Sequence, residues 1–168
     1  MPENKVYLSW EQTEELTIQL ILKILERGIN YDVVFGIARG GLFQLQLMTQ
    51  VFPAVANSAH LARYGEATES EVMPQIIAWP DRQDFFQKRV LIVDEVWDYG
   101  HSIVRAEQAV WDCNPLQVDT AVLHFKPTRN KYTLKRPTYY VAETADWIEY
   151  PWMAQFMDKF KAARLQHS

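Results

Sequence analysis

The chain has 168 residues, enough to bury a sizeable core, and with 48% hydrophobic and 13% aromatic residues it is not a disordered chain. A formal net charge of −4, without a long basic run, speaks against broad electrostatic binding to nucleic acid. Cys113 is the sole cysteine, which excludes an intrachain disulfide and suits a reducing cytosol.

The opening MPENKVYLSWEQ lacks the basic-then-apolar order of a secretory leader, and no apolar stretch approaches the roughly 20 residues that span a bilayer. A soluble, cytoplasmic protein with no membrane partner is expected. Ser9 and Gln12 have the form of a capping box. A helix is predicted to follow to about residue 27, because Leu16, Leu20 and Ile24 recur every four residues with Ile21 and Leu25 beside them. Gly28 supplies its stop. Residues 31–37 (YDVVFGI) read as a buried strand and 38–41 as a turn. Leu42, Leu45, Met48 and Phe52 fall at helical spacing, and Pro53 ends that element.

Residues 55–63 predict a second strand. The stretch 64–87 is polar and irregular, with Gly65, Pro74 and Pro80, and its length predicts a flexible lid or binding loop. Residues 89–93 (RVLIV) are the clearest buried strand. Ile103, Ala106, Val110 and Cys113 then form a helical stripe, and 118–125 and 138–142 read as further strands. In the final helix, about 152–165, Trp152, Met153, Phe156, Met157 and Phe160 share one face. That face is expected to pack on the core or on a partner subunit. Asp158 among Lys159, Lys161 and Arg164 makes the other face too mixed for a membrane surface. Strands alternating with helices predict a single α/β domain over 1–168 with a largely parallel sheet.

Two strand-to-helix turns are suited to phosphate. In the first, Arg39 adds a fixed charge, and Gly40 and Gly41 let backbone N–H groups approach a ligand. The second, Asp98-Tyr99-Gly100-His101-Ser102, opens a helix whose N-terminus favours anions. Either could be an ordinary turn, with Asp98 and Ser102 acting only as caps. Asp94 and Glu95 are harder to explain that way, since they stand directly after an apolar strand. Carboxylates accept hydrogen bonds from sugar hydroxyls and bind Mg2+, so a ligand with both ribose and phosphate would satisfy the whole stretch. His60, His101 and His124 have no metal-ligand spacing, although His101 lies where it could touch the anion.

Residues 90–102 (VLIVDEVWDYGHS) resemble the motif by which type I phosphoribosyltransferases bind phosphoribosyl pyrophosphate (PRPP). Residues 34–42 (VFGIARGGL) resemble that family's pyrophosphate loop. The HFKP at 124–127, the DWIEYPW at 146–152 and the YLSW at 7–10 resemble the bacterial xanthine-guanine branch. The resemblance covers about residues 7–152, with 64–87 poorly matched.

It implies a Rossmann-like type I fold with a small base-binding hood, from the N-terminus and about 126–152. It also implies transfer of the phosphoribosyl group from PRPP to a 6-oxopurine, with Mg2+ as cofactor and a homodimer or larger homo-oligomer. Asp94 and Glu95 match the pair that holds the ribose hydroxyls and organises Mg2+. Asp98 matches the acid near the purine N7, a general acid/base. Tyr99, Gly100, His101 and Ser102 match the 5-phosphate loop, and Arg39, Gly40 and Gly41 the pyrophosphate loop. Lys126 matches the lysine on the 6-oxo group, Trp147 the aromatic that stacks on the base, and Ile148 the residue whose backbone reads its edge.

Five residues depart from that pattern, among them Tyr150 after Glu149 and Asp146 before the tryptophan, either of which could alter the base pocket. Tyr99 replaces a threonine and brings a large ring into a tight loop, Ser102 replaces another, and Glu95 replaces the commoner aspartate. Tyr99 is the feature that favours the rival reading, a non-catalytic sensor of PRPP or nucleotides.

Overall fold

The computed structural model describes residues 4–62 and 72–166. Its centre is a six-stranded sheet built from β2 (Val33–Ala38), β3 (Val55–Ala62), β4 (Gln75–Ala78), β5 (Arg89–Trp97), β6 (Gln117–Phe125) and β7 (Tyr139–Glu143). The spatial order is β4-β3-β2-β5-β6-β7, parallel throughout except that β4 runs antiparallel to β3.

The near-continuous apolar runs in β2 and β5 follow from burial on both faces. Val34, Leu91 and Val93 face one core with Leu20, Ile21 and Ile24 of α1 (Trp10–Leu25) and Met48 of α2 (Leu42–Met48). Val33, Phe35, Ile37, Val90 and Ile92 face the other with Ile103, Ala106 and Val110 of α3 (His101–Trp111). The two-residue alternation of the strands produces this division.

Helix α1 begins as its sequence predicts. The Ser9 hydroxyl accepts from the Gln12 N–H at 3.1 Å, and the Gln12 amide oxygen accepts from the Ser9 N–H at 2.8 Å. Its buried Thr13 and Thr17 hydroxyls donate back to the carbonyls four residues earlier at 2.8 Å. Just past its end, Gly28 takes φ +64.

Three expectations need correction. Helix α2 ends at Met48 rather than at Pro53, because Gln50 and Val51 donate three residues back and the last turn tightens. Strand β5 extends four residues past Val93, to Trp97, so Asp94 and Glu95 lie on the strand itself. Within the predicted lid, 75–78 form β4, a short strand between Pro74 and Pro80 at the sheet edge, where burial leaves little periodic signal. Residues 63–71 of that stretch lie outside the described residues. Of the face predicted for the final helix, Trp152 and Met153 precede α4 (Ala154–Gln166) and pack against the first core, while Phe156, Met157 and Phe160 on the helix itself are exposed.

A second, two-stranded sheet pairs β1 (Lys5–Tyr7) with β8 (Trp147–Glu149) in parallel. Strands of three residues carry too little pattern to be read from sequence. Buried Glu149 ties this unit together, with its carboxylate 3.3 Å from Lys5 Nζ and accepting from the Ala154 N–H at 2.8 Å. Burial pushes this carboxyl up, but those donors outweigh it and the pKa ends below the usual carboxylate value.

Candidate active site

A cleft of about 270 Å3 opens beyond the carboxyl ends of β2, β5 and β6. This is where an open α/β sheet takes its ligand. Every site residue predicted from sequence lines it except Gly41. Gly41 is there for packing. A Cβ on it would lie 2.3 Å from the Val93 carbonyl oxygen and 2.9 Å from both N and O of Ile37, all rigid backbone. The turn therefore lies directly on β2 and β5, joined to its own strand by the Gly41 N–H to Ile37 O bond of 2.8 Å. Arg39 and Gly40 do face the cleft, after a cis Ala38–Arg39 peptide.

The far wall is the N-terminus of α3. Gly100 sits at its cap with φ +90, and a Cβ there would fall 2.5 Å from the Trp97 indole nitrogen. Only glycine fits on both counts. Gly100 supplies no side-chain cap, and a helix N-terminus opening on the cleft suits an anion. The Tyr99 ring does not crowd the loop. It packs at the edge of the cleft, with the Arg129 guanidinium 4.4 Å from its centroid and the His101 ring stacked at 6.2 Å. His101 Nδ1 lies 2.8 Å from the Tyr132 hydroxyl.

Glu95 is fixed from two sides by one segment. The Trp152 indole donates to its carboxylate at 2.7 Å, and the Tyr150 hydroxyl donates to its carbonyl at 2.9 Å. Tyr150 in turn lies 2.8 Å from His124 Nδ1. The carbonyl can only accept, so the tyrosine proton points to it and His124 must donate. His124 is thus the neutral Nδ1–H tautomer. Burial, helped by the charge of Lys126, pushes it down to about 4. Burial pushes the Glu95 carboxyl up to about 7, against the opposing pull of the Trp152 N–H and Arg39. Asp94 Oδ1 accepts from the Glu95 N–H at 2.8 Å.

At the other end, Lys126 is buried, with its Nζ 3.6 Å from Asp98 Oδ2 and 5.4 Å from the Trp147 ring centroid. Arg129 Nε lies 2.5 Å from Asp98 Oδ1. A cationic donor, a carboxylate acceptor and an aromatic face therefore meet in one corner.

Among the described residues, no group of three or more His, Cys, Asp or Glu could hold a metal by itself. The adjacent carboxylates of Asp94 and Glu95 suit an ion that keeps most of its waters and takes further oxygens from a phosphate-bearing ligand, as Mg2+ does.

The phosphoribosyl transferase domain family matches residues 4–156. The chain belongs to that family. The match spans both sheets and the whole cleft of this phosphoribosyl transferase domain. A purine phosphoribosyltransferase from Pyrococcus horikoshii Ot3 is similar at 30% identity and TM-score 0.73, over 88% of this chain and 93% of that one. The fold is shared with the Helicobacter pylori xanthine-guanine-hypoxanthine phosphoribosyltransferase, at 18% identity and TM-score 0.77 over 94% and 99% of the two chains. It is shared too with a hypothetical protein from Neisseria gonorrhoeae with bound ppGpp, at 22% identity and TM-score 0.80 over 96% of each. No curated protein sequence matches significantly.

Three residues of this domain's site, Trp152, His124 and Arg129, escaped the sequence reading, and a fourth, Tyr150, was read only as a departure near the base. Trp152 and Tyr150 stood inside a segment singled out for its resemblance, but the Glu95 that both contact is 55 or more residues away. His124 adjoins Lys126, yet its bond to Tyr150 is a tertiary contact. Arg129 carried no signal in the sequence beyond its place three residues past Lys126.

Proposed function

We propose that this phosphoribosyltransferase transfers the 5-phosphoribosyl group of PRPP to a 6-oxopurine and releases pyrophosphate. The observation that carries the reading is the corner where Lys126 Nζ and Asp98 Oδ2 stand 3.6 Å apart beside the Trp147 ring. A 6-oxopurine offers an acceptor at O6 next to a donor when N7 is protonated. The ammonium and the carboxylate are the complementary pair. Adenine would turn an amino donor toward the lysine, which has no acceptor. Trp147 adds stacking, which gives affinity without choosing the base.

Asp94 and Glu95 accept from the ribose hydroxyls. The N-terminus of α3, from Tyr99 to Ser102, takes the 5-phosphate, and Arg39 and Gly40 take the pyrophosphate. Gly41 supports this last loop without touching the ligand. When bound at Asp94 and Glu95, Mg2+ would neutralise charge on the leaving pyrophosphate. Asp98 holds or releases the proton at N7 as the base attacks C1 of the ribose. The paired β1 and β8 and the loop after β6 act as the hood over the base. Function in the cytoplasm as a homodimer or larger assembly completes the proposal, and the exposed Phe156, Met157 and Phe160 support a partner subunit.

The test is pyrophosphate release from PRPP and Mg2+ with guanine, xanthine, hypoxanthine and adenine supplied separately. Release with at least one oxopurine and none with adenine is expected, and release with adenine alone would sink the assignment of Lys126. A second reading, a non-catalytic nucleotide sensor, is favoured by the bound ppGpp of the similarly folded gonococcal protein. Ligand binding without turnover on any base would favour it.

A further inference from the structure

Arg129 lies outside every motif, yet one side chain joins two of them. Its Nε is 2.5 Å from Asp98 Oδ1, its terminal nitrogen donates to the Tyr99 hydroxyl at 2.5 Å, and its guanidinium covers the Tyr99 ring at 4.4 Å. The remaining Asp98 oxygen stands 3.6 Å from Lys126 Nζ. That gap is wider than the roughly 2.7–2.9 Å of a charge-assisted N–H to O bond. The Lys126 side chain is only 3% exposed and that of Asp98 20%, so solvent screens their attraction weakly. Opposite charges in such a place close on each other unless something restrains one of them.

We propose that Arg129 is a strut, a positioning residue that holds Asp98 off Lys126 and keeps open the gap into which the base edge fits. The inference deepens the oxopurine reading and rests on it. It also explains the unusual residue in the phosphate loop. The Tyr99 ring is the seat of the guanidinium and its hydroxyl the second anchor. A planar guanidinium that pairs with the Asp98 carboxylate while donating to the Tyr99 hydroxyl is something a lysine ammonium cannot reproduce. The strut couples the loop after β6, which ends the base corner, to the loop that opens α3.

The test uses the full chain and two probes, guanosine monophosphate and ribose 5-phosphate, which share the sugar phosphate and differ in the base. Calorimetry on Arg129→Ala should show guanosine monophosphate binding about tenfold weaker, the loss of one charged hydrogen bond, with ribose 5-phosphate within about twofold of wild type. A crystal structure of the variant should show the Lys126–Asp98 separation closed to about 3 Å or less. Arg129→Lys should recover only part of the nucleotide affinity. Tyr99→Phe added to Arg129→Ala should weaken it no further, since the hydroxyl acts through Arg129. Arg129→Gln is read in the same way if the alanine variant does not fold.

Unchanged nucleotide affinity, equal loss of both probes, or a gap still at its wild-type width would each overturn the strut while leaving the proposed function standing. Wild-type protein that binds neither probe would instead remove the proposed function, and the strut with it.

Discussion

Tyr150→Phe removes one oxygen, orphans the His124 Nδ1–H and takes one donor from the Glu95 carbonyl. The Glu95 carbonyl loses its side-chain donor, and the His124 Nδ1–H loses its acceptor. The ring itself, 1% exposed and stacked at 7° on Trp152, is preserved by phenylalanine, so packing changes little. The orphaned His124 donor costs about 1–3 kcal/mol and the bond lost at the carbonyl about 0.5–1.5 kcal/mol, so the variant should lose about 1.5–4.5 kcal/mol in all. For a chain of this size that is roughly a 5–15 °C fall in Tm. Urea unfolding should give a lower midpoint at an unchanged m-value. His124→Leu in the Tyr150→Phe background should then cost less than it does alone, because the imidazole is already unpaired. A Tyr150→Phe protein within about 0.5 kcal/mol of wild type, in the range of a neutral surface substitution, would refute the relay from His124 through Tyr150 to Glu95.

Three further outcomes follow from the same geometry. His124, buried as a neutral donor at about 4, binds fewer protons than its unfolded counterpart, whose ordinary value is 6.5. Its contribution is therefore present above pH 6.5 and lost progressively as pH falls toward 4. Glu95, raised from 4.5 to about 7, works in the opposite sense and favours the fold as pH falls through 7 toward 4.5. The two slopes oppose in the metal-free protein, and His124→Leu should leave stability rising as urea titrations move from pH 7 to 4.5. Gly41→Ala drives a methyl into the Val93 and Ile37 backbone and should cost at least about 1–3 kcal/mol by denaturant unfolding; a neutral result would mean that the turn is not seated on the sheet. Asp94→Asn should weaken PRPP binding in the presence of Mg2+ by about tenfold or more in calorimetry. Unchanged binding would remove Asp94 from the ribose and metal roles.

Much of the fold was legible because it rests on local signals. The capping box at Ser9, the period of Leu16, Leu20 and Ile24, and the apolar runs at 31–37 and 89–93 set α1, β2 and β5 within a few residues. The turn at Gly100 was readable for the same reason, since a positive φ beside a helix start calls for glycine. Residue types that carry chemistry, namely the acids of β5, Arg39 and Lys126, could be picked out one by one. Their convergence on one cleft depended on strand order, which places β2, β5 and β6 side by side.

What the sequence by itself determined was thus the set of elements and the chemical inventory of two turns, because both depend on neighbours within about one helical turn or strand. The tertiary structure alone decided the rest. β1 found β8 across the chain, β4 formed only as an edge on β3, and Gly41 became a packing residue because Val93 lies against it. Trp152 and Tyr150 reached Glu95, and Arg129 reached Asp98 and Tyr99, through contacts 30 or more residues apart in sequence. No local periodicity encodes such pairs, since each exists only once the sheet has fixed the distance between the loops that carry them.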